Sequence, residues 1–552
     1  IIDKQKIMKK EIMKKITQTS LATLFGTLLV ACNNGGNNTA SSATPPTTSD
    51  IRLSDINLAT QILPLKTLDA YPMNANLKSS PNAATFISAE SLELTYETLF
   101  CQLKTDESNP SKSVLISNPQ CQADIAWIKS QAGTANFDLN SQPILNNPLG
   151  ITGVTFESIT YTTALPSGAN VTVSGGLVLP QLTDPTKIKG VVTYFHGTTF
   201  NKSLAGSNYE SDGEVKAVTA VFASQGYIVV LPDYVGQGVD WQNVHPYVLY
   251  PKISVQAALD MLEAVKPIIQ STYATTAPIK LFSAGYSEGG AYSLWFNSMI
   301  QNNPSILDPF YKLTHSVGME GAYSVSNVTN GYLFNDVVKD DANTYNIQDQ
   351  GLTNLVKPLL TADALLSYAT YSLNSNYSQV FNMDFFNMTC GNDCNVNSQN
   401  LNIQTAFALP DTMIASQLLN SAVNQNANGK TYPSLDTLIV SPINSIDSLV
   451  DSALISSGNP SLMSVMQAAD VNLTGMANNS VSIISLNQDS VVVRNNYDWL
   501  LQAYPNQIKT SILIPESSIQ VLSPFDSTYH SVDHLNGLTY EYLYAVNIFN
   551  SY

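Results

Sequence analysis

The sequence predicts an α/β fold in which helices flank a mostly parallel central sheet and a mainly helical cap is inserted. Three observations predict it. Short apolar runs have the length of strands buried on both faces; they span residues 191–195, 227–231, 279–284, 316–319, 481–486 and 508–514. Helical patterns alternate with these runs. About 150 residues interrupt the alternation, too many for a loop without structure of its own.

A β-hairpin precedes the alternating strands and helices. Residues 156–163 and 171–179 are rich in β-forming residues, and a turn with Pro and Gly separates them. Farther along, apolar residues recur every three or four positions over 255–269, with Ser254 as the expected N-cap. Strands that alternate with such helices imply a parallel sheet covered on both sides.

These patterns divide the chain of 552 residues into segments. We expect residues 149–324 and 481–552 to form the two parts of the α/β core, and residues 325–480 to form the helical cap. Residues 51–148 are an N-terminal extension whose pattern is uninformative, and residues 1–32 have the character of a targeting signal.

The N-terminus predicts export. Residues 1–15 are lysine-rich, and the apolar run 16–31 is too short for a stable membrane span, as in a signal peptide. The run ends in the letters LVAC, which resemble a bacterial lipobox in which Cys32 would carry lipid. Residues 33–50 predict a flexible linker, and Asn33 favours the outer membrane. We therefore expect a membrane-anchored lipoprotein facing the periplasm or the cell surface.

The charge of the chain argues against a nucleic-acid partner. It carries 42 acidic and 25 basic side chains, a formal net charge of −17, without a visible basic patch.

The cysteine count fits an exported protein once Cys32 is assigned to lipid. Cys101, Cys121, Cys390 and Cys394 then remain as candidate disulfide cysteines, with three possible connectivities. A zinc site is disfavoured because the last two have no nearby histidine and no second close cysteine pair, so we expect no metal there.

The pattern GYSEG at 285–289 predicts a nucleophile, Ser287. Flanking glycines allow a strained turn between a strand and a helix. Chance alone would give about 0.1–0.2 such matches in a chain of this length, so the prediction depends on the strand and helix expected on either side of the pattern. The apolar run 279–284 predicts the strand, and the small residues that follow predict a closely packed helix.

The letters HGTT at 196–199 follow the predicted strand 191–195 and indicate an oxyanion loop. We expect the backbone N–H groups of Thr198 and Glu288 to face the developing oxyanion. His196 precedes the nucleophile in the chain, so it is expected to organise the turn rather than to act as base.

The expected general base is His534, which precedes a helical run at 538–549. The order nucleophile, acid, histidine is usual for a strand-turn-helix serine site. His530 is the alternative base. His245 is expected to be structural or to line a pocket, and His315 to be structural.

The expected acid is Asp489, which follows the predicted strand 481–486. Asp526 and Asp533 are its competitors. An acid adjacent in sequence to His534 would have difficulty in reaching the Nδ1 atom of that ring.

These residues together resemble a known family. The letters YIVVLPDYVGQG at 227–238, HPY at 245–247 and the pattern at 285–289 are similar to α/β-hydrolases related to fungal secretory lipases and their bacterial counterparts. The resemblance extends from about residue 150 to the C-terminus, apart from the cap. It implies cleavage of carboxylic esters, a helical cap that shapes the acyl pocket, and no cofactor. Residues 200–211 depart from it, since they lack the usual Pro-Ser continuation.

The hypothesis is therefore a serine hydrolase that cleaves a small-molecule or lipid ester through an acyl-enzyme. One alternative is an exported serine aminopeptidase, in which Asp340, Asp341 or Glu288 would bind a free amino terminus. Another is a surface-binding lipoprotein without catalysis.

Overall fold

The computed structural model describes residues 84–92, 95, 103–106, 109–115, 151–199, 205–210, 212–240, 243–334, 347, 350–376, 462–514, 520–522 and 529–552. The predicted signal peptide and linker lie outside the described residues. So do the cysteines Cys32, Cys101, Cys121, Cys390 and Cys394, and the carboxylates Asp340, Asp341 and Asp526.

The strands described are β1 (Thr85–Ser88), β2 (Leu103–Asp106), β3 (Asn109–Leu115), β4 (Ile151–Ala164), β5 (Asn170–Leu182), β6 (Gly190–Phe195), β7 (Tyr227–Pro232), β8 (Ile279–Tyr286), β9 (Tyr311–Met319), β10 (Val481–Leu486), β11 (Ile508–Ile514), β12 (Gln520–Leu522) and β13 (Tyr529–Ser531). Nine of them form the central sheet in the order β1-β4-β5-β7-β6-β8-β9-β10-β11. β2 with β3, and β12 with β13, form two separate pairs.

The sheet is mostly parallel, as predicted. β7, β6, β8, β9, β10 and β11 pair in parallel, whereas β1, β4 and β5 extend the sheet by antiparallel pairing. β4 and β5 are the predicted hairpin, with Phe156 opposite Val178. Because parallel strands end at the same edge, the loops after β6, β8 and β10 meet at one edge of the sheet, where α/β proteins bind ligands.

The helices described are α1 (Gly213–Phe222), α2 (Pro251–Tyr273), α3 (Glu288–Asn302), α4 (Asn330–Phe334), α5 (Gln350–Ser372), α6 (Leu462–Ala469), α7 (Asn495–Ala503) and α8 (His534–Asn550). The predicted N-cap of α2 is wrong. The helix begins at Pro251, three residues before Ser254. A proline is tolerated in the first helical turn because its missing N–H would have no partner there.

Two hydrophobic cores lie on opposite faces of the sheet. α1 and α8 pack on one face, and α2 and α3 pack on the other. Side chains of a strand alternate between its two faces. In β6, Val192 and Tyr194 accordingly join the first core, and Val191 and Phe195 join the second.

The long insertion leaves the sheet after β9 and returns at β10. These two strands are nevertheless neighbours, with Val481 opposite Ser316. The described parts between them are largely helical, with a short π-helix at Val325–Thr329 followed by α4, α5 and α6. The boundaries predicted for the cap and the other segments stay predictions.

Candidate active site

Ser287 occupies a strained turn between β8 and α3. Its backbone has φ 55° and ψ −121°, which is uncommon for a residue other than glycine. Its N–H donates to the Met319 carbonyl at 2.9 Å. The neighbouring glycines allow the close approach, since a Cβ at Gly289 would lie 1.9 Å from the Phe195 carbonyl oxygen.

His534, the first residue of α8, contacts both Ser287 and Asp489. Its Nε2 lies 2.9 Å from the Ser287 Oγ, and its Nδ1 lies 2.6 Å from Oδ2 of Asp489. A carboxylate only accepts, so Nδ1 carries the hydrogen and Nε2 is left to accept from the serine hydroxyl. All three side chains are buried. The structure thus brings the predicted nucleophile, base and acid into one hydrogen-bonded chain.

Asp489 is fixed by backbone donors in the loop after β10. Its Oδ1 accepts from the N–H groups of Val491 and Val492 at 2.6 and 2.7 Å. The other oxygen is thereby directed at His534.

Asp533, the competing acid that the structure describes, has partners other than the His534 ring. Asp533 accepts from the N–H groups of Ser490 and His534 at 2.9 and 2.7 Å, and so joins the loop after β10 (residues 487–494, called the acid loop) to α8. Burial, with the nearby charge of Asp489, raises the pKa of Asp533 to about 6. His530 lies in β13, opposite Val521 of β12.

The loop after β6 lies against the nucleophile. A Cβ at Gly197 would be 3.5 Å from the Ser287 Cβ. The Gly197 N–H donates to Glu214 at 3.0 Å, and the Thr198 hydroxyl donates to Oε2 of Glu288 at 3.1 Å. Glu288 opens α3, so its N–H has no acceptor inside the helix. Both predicted oxyanion residues therefore lie beside Ser287.

The Glu288 side chain pairs with His245, a contact that the sequence did not predict. Oε1 of Glu288 accepts from His245 Nε2 and from the Tyr292 hydroxyl, both at 2.5 Å. Burial by itself would raise the pKa of Glu288, but the charge and hydrogen bond of His245 outweigh it and lower the pKa. The partners lie 43 residues apart, His245 in a loop and Glu288 in α3, so no spacing in the sequence indicates the pair.

The two remaining histidines do not contact Ser287. His196 Nδ1 lies 2.7 Å from the Gly197 carbonyl, as expected of a residue that organises the turn. His315 lies inside β9, with its Nε2 2.8 Å from the Ser482 hydroxyl. Burial, with a smaller contribution from Lys509, lowers the pKa of His315 to about 3.

A cleft opens above Ser287 and has two kinds of wall. Apolar side chains from α4, α5, α8 and the acid loop form most of it, among them Tyr332, Leu333, Val356, Leu360, Val493 and Leu538. Asp212 and Glu214 line another side. Burial and the charge of Glu214 raise the pKa of Asp212 to about 7.

Comparison with protein families gives a partial match. The family model described as secretory lipase matches residues 211–305, which include the nucleophile turn. No curated protein sequence matches the chain.

Solved structures that resemble this chain include an esterase and, more distantly, a lipase. A ligand-bound form of the rice cell wall degrading esterase LipA from Xanthomonas oryzae has a TM-score of 0.51 at 17% identity, covering 74% of this chain and 93% of that chain. Another structure of that esterase has a TM-score of 0.51 at 17% identity, with coverages of 73% and 92%. Lipase A from Candida antarctica has a TM-score of 0.41 at 11% identity, with coverages of 66% and 72%.

The esterase structures confirm the predicted α/β-hydrolase fold. The secretory lipase match confirms the predicted class, a carboxylic ester hydrolase, and agrees with export. In the described residues, no helix combines the length and apolarity needed to cross a bilayer.

Proposed function

We propose that this protein hydrolyses carboxylic esters through an acyl-enzyme on Ser287, with His534 as general base and Asp489 as the acid that orients it. One observation carries the proposal. The Ser287 Oγ, the His534 ring and the Asp489 carboxylate form a continuous, buried hydrogen-bonded chain, with contacts of 2.9 and 2.6 Å. This is the arrangement that activates a serine hydroxyl.

The reaction proceeds in two similar halves. The Ser287 Oγ forms a bond to the ester carbonyl carbon while its proton passes to His534 Nε2, and the carbonyl electrons move to oxygen. The oxyanion collapses, the bond to the alcohol breaks, and the alcohol takes the proton from His534. Water then attacks the acyl carbon and gives its proton to His534 Nε2; the bond to the Ser287 Oγ breaks, the carboxylic acid leaves, and Ser287 takes the proton back. Asp489 stabilises the imidazolium formed in each half.

Two backbone donors serve the oxyanion. The Gly197 N–H is engaged by Glu214, which leaves the Thr198 N–H as the donor from the loop. The Glu288 N–H is the second donor, and the positive end of the α3 dipole adds to it.

The cleft supports an ester with a sizeable apolar group. Its walls from α4, α5 and α8 offer aliphatic and aromatic surface and few polar groups. Burying an apolar chain there is favourable and excludes water from the acyl-enzyme.

The proposed location is a membrane surface, reached through a lipid anchor at Cys32. The lysine-rich start, the short apolar run and the LVAC ending support it. Incorporation of radiolabelled fatty acid should be lost in Cys32→Ser; retained label would contradict the anchor.

A fluorophosphonate probe tests the nucleophile. The wild type should be labelled at Ser287, and Ser287→Ala should lose both the label and the hydrolysis of p-nitrophenyl esters. Ser305→Ala, a change at an exposed serine, is the matched control and should behave as wild type. Absence of label in the folded wild type would favour the non-catalytic alternative, and label elsewhere would contradict the assignment.

An aminopeptidase is the second candidate, favoured by Asp212 and Glu214 in the cleft wall. A carboxylate pair can bind a substrate ammonium. However, Glu214 already accepts from the Gly197 N–H, and the raised pKa of Asp212, about 7, leaves this carboxyl only partly ionised near neutral pH. Faster cleavage of aminoacyl-nitroanilides than of p-nitrophenyl esters would reverse this preference.

A further inference from the structure

A buried charged residue stands directly beside the nucleophile. Glu288 is 1% exposed, and its own backbone N–H is one of the two proposed oxyanion donors. A negative charge at this place would repel the developing oxyanion. A compensating positive charge is therefore required close by.

His245 supplies that positive charge. Its Nδ1 lies 3.1 Å from the Val235 carbonyl, and its Nε2 lies 2.5 Å from the Glu288 carboxylate. A carbonyl oxygen and a carboxylate can only accept, so both ring nitrogens carry hydrogen and the ring is an imidazolium. The Tyr234 ring stacks on it, with centroids 5.4 Å apart and planes 11° apart, a contact that favours a cation.

The same carboxylate also holds the oxyanion loop. Oε1 is taken by His245 and Tyr292, whereas Oε2 accepts from the Thr198 hydroxyl at 3.1 Å. Thr198 is thus tied by its side chain to the first turn of α3, which carries the other oxyanion donor. The two N–H donors are linked through one carboxylate.

We propose that His245 and Glu288 form a positioning pair, in which Glu288 fixes the Thr198 loop and His245 cancels the Glu288 charge beside the oxyanion. The inference rests on the proposed ester hydrolysis. Neither side chain reacts with substrate; both act through the placement and the electrostatic environment of the backbone donors.

Single and double variants of His245 and Glu288 test the inference. His245→Gln leaves the Glu288 carboxylate buried without its cation, which is the costly way to break a buried pair. We expect kcat to fall about 100-fold, in the range found for loss of an oxyanion donor, with KM nearly unchanged. Affinity for a trifluoromethyl ketone, which forms an oxyanion on the serine, should fall in the same proportion.

The double variant H245Q/E288Q replaces the charge pair by two amides that can hydrogen-bond. It should recover kcat and ketone affinity to within about tenfold of wild type, because no unpaired charge remains. A purely structural role would predict that the second substitution adds damage. Thr198→Val keeps the shape but removes the hydroxyl, and should lower kcat and ketone affinity about tenfold without any change of charge.

His315→Gln is the matched control, a buried histidine in β9 with no contact to Ser287. It should leave kcat and ketone affinity as in wild type. If the wild type reacts with the fluorophosphonate but His245→Gln is unimpaired, or the double variant is worse than the single one, the inference is wrong and the proposed function stands. If the wild type itself is unlabelled, the proposed function fails and the inference fails with it.

Discussion

Asp489 and Asp533 are two buried carboxylates that take different partners around one histidine. Asp489 contacts the ring of His534, whereas Asp533 contacts its backbone N–H. The difference follows from chain geometry, because a residue adjacent to the histidine can reach its main chain but not its Nδ1 atom. The two carboxylates should therefore respond differently to the same substitution.

We expect Asp489→Asn to lower kcat by about 10⁴-fold, because an amide at this place would favour the wrong tautomer of His534. Asp533→Asn is the matched control and should stay within about tenfold of wild type, because an amide oxygen still accepts from backbone donors. The measurement is kcat on a p-nitrophenyl ester. The reverse order of the two variants would make Asp533 the acid.

Among single residues, the sequence predicted those site residues whose order along the chain is constrained by the fold. Ser287, Asp489 and His534 follow one another as the fold requires, and the structure places them within hydrogen-bonding distance. The partner of Glu288 could not be predicted, because the contact of His245 with it depends on how the loop that holds His245 packs against α3. Nor does the sequence indicate which buried side chains are charged.

Helix α8 joins the catalytic histidine candidate to a buried pair of carboxyls. Glu541 lies on α8 and Glu320 follows β9; both are fully buried. Burial, then the charges of Glu541 and Asp489, raise the pKa of Glu320 well above its usual value, and burial likewise raises the pKa of Glu541. Glu320 accepts from the Ser485 hydroxyl at 2.9 Å, which ties this pair to the end of β10.

This pair should make stability decrease as pH rises. A carboxyl whose folded pKa exceeds its unfolded value keeps its proton longer in the folded state, so its stabilisation is present below the unfolded value, 4.5 for Glu541, and is lost as the pH rises toward the folded pKa. Glu541→Gln cannot ionise. The Tm of Glu541→Gln minus that of wild type should therefore increase as the pH is raised from about 5 to about 8.

Glu210→Gln, a change at an exposed glutamate, is the control and should follow the wild-type pH dependence. A constant difference in Tm between wild type and Glu541→Gln would show that Glu541 carries the same charge in the folded and unfolded protein over this range, so that its pKa is not raised by folding.

The centres of the elements were predicted better than their ends. The predicted strand at 316–319 is the apolar end of β9, which begins at Tyr311. Its first half is only partly buried, with Lys312 exposed, yet it pairs with β8 from Ile279 onward. β9 extends beyond its apolar part because it forms hydrogen bonds with a neighbouring strand. The hydrophobic periodicity of the sequence does not indicate this pairing.

Over the whole molecule, the candidate site is assembled from two distant stretches of chain. Ser287 belongs to the part before the insertion, whereas Asp489 and His534 belong to the part after it. The parallel pairing of β9 with β10 brings the two parts together. The alternating pattern predicted this sheet, but not the edge strand β1, whose residues Thr85–Ser88 pair with β4. Four residues are too few for a periodic signal.

The backbone conformation of Ser287 lowers the stability of the whole folded protein. A non-glycine residue in such a region costs about 1–3 kcal/mol, and only glycine adopts it freely. We expect Ser287→Gly to be more stable than Ser287→Ala by about 1 kcal/mol, after the greater unfolded-state entropy of glycine is counted. Thermal unfolding of the two inactive variants measures the difference.

At Ser305, where φ is not positive, the order should be reversed, with alanine more stable than glycine. Equal Tm values for the two Ser287 variants would mean that the turn stores no strain. The expected result implies a trade-off between activity and stability. Selection for a longer-lived fold alone would favour glycine at position 287, so a serine there is maintained at the expense of robustness.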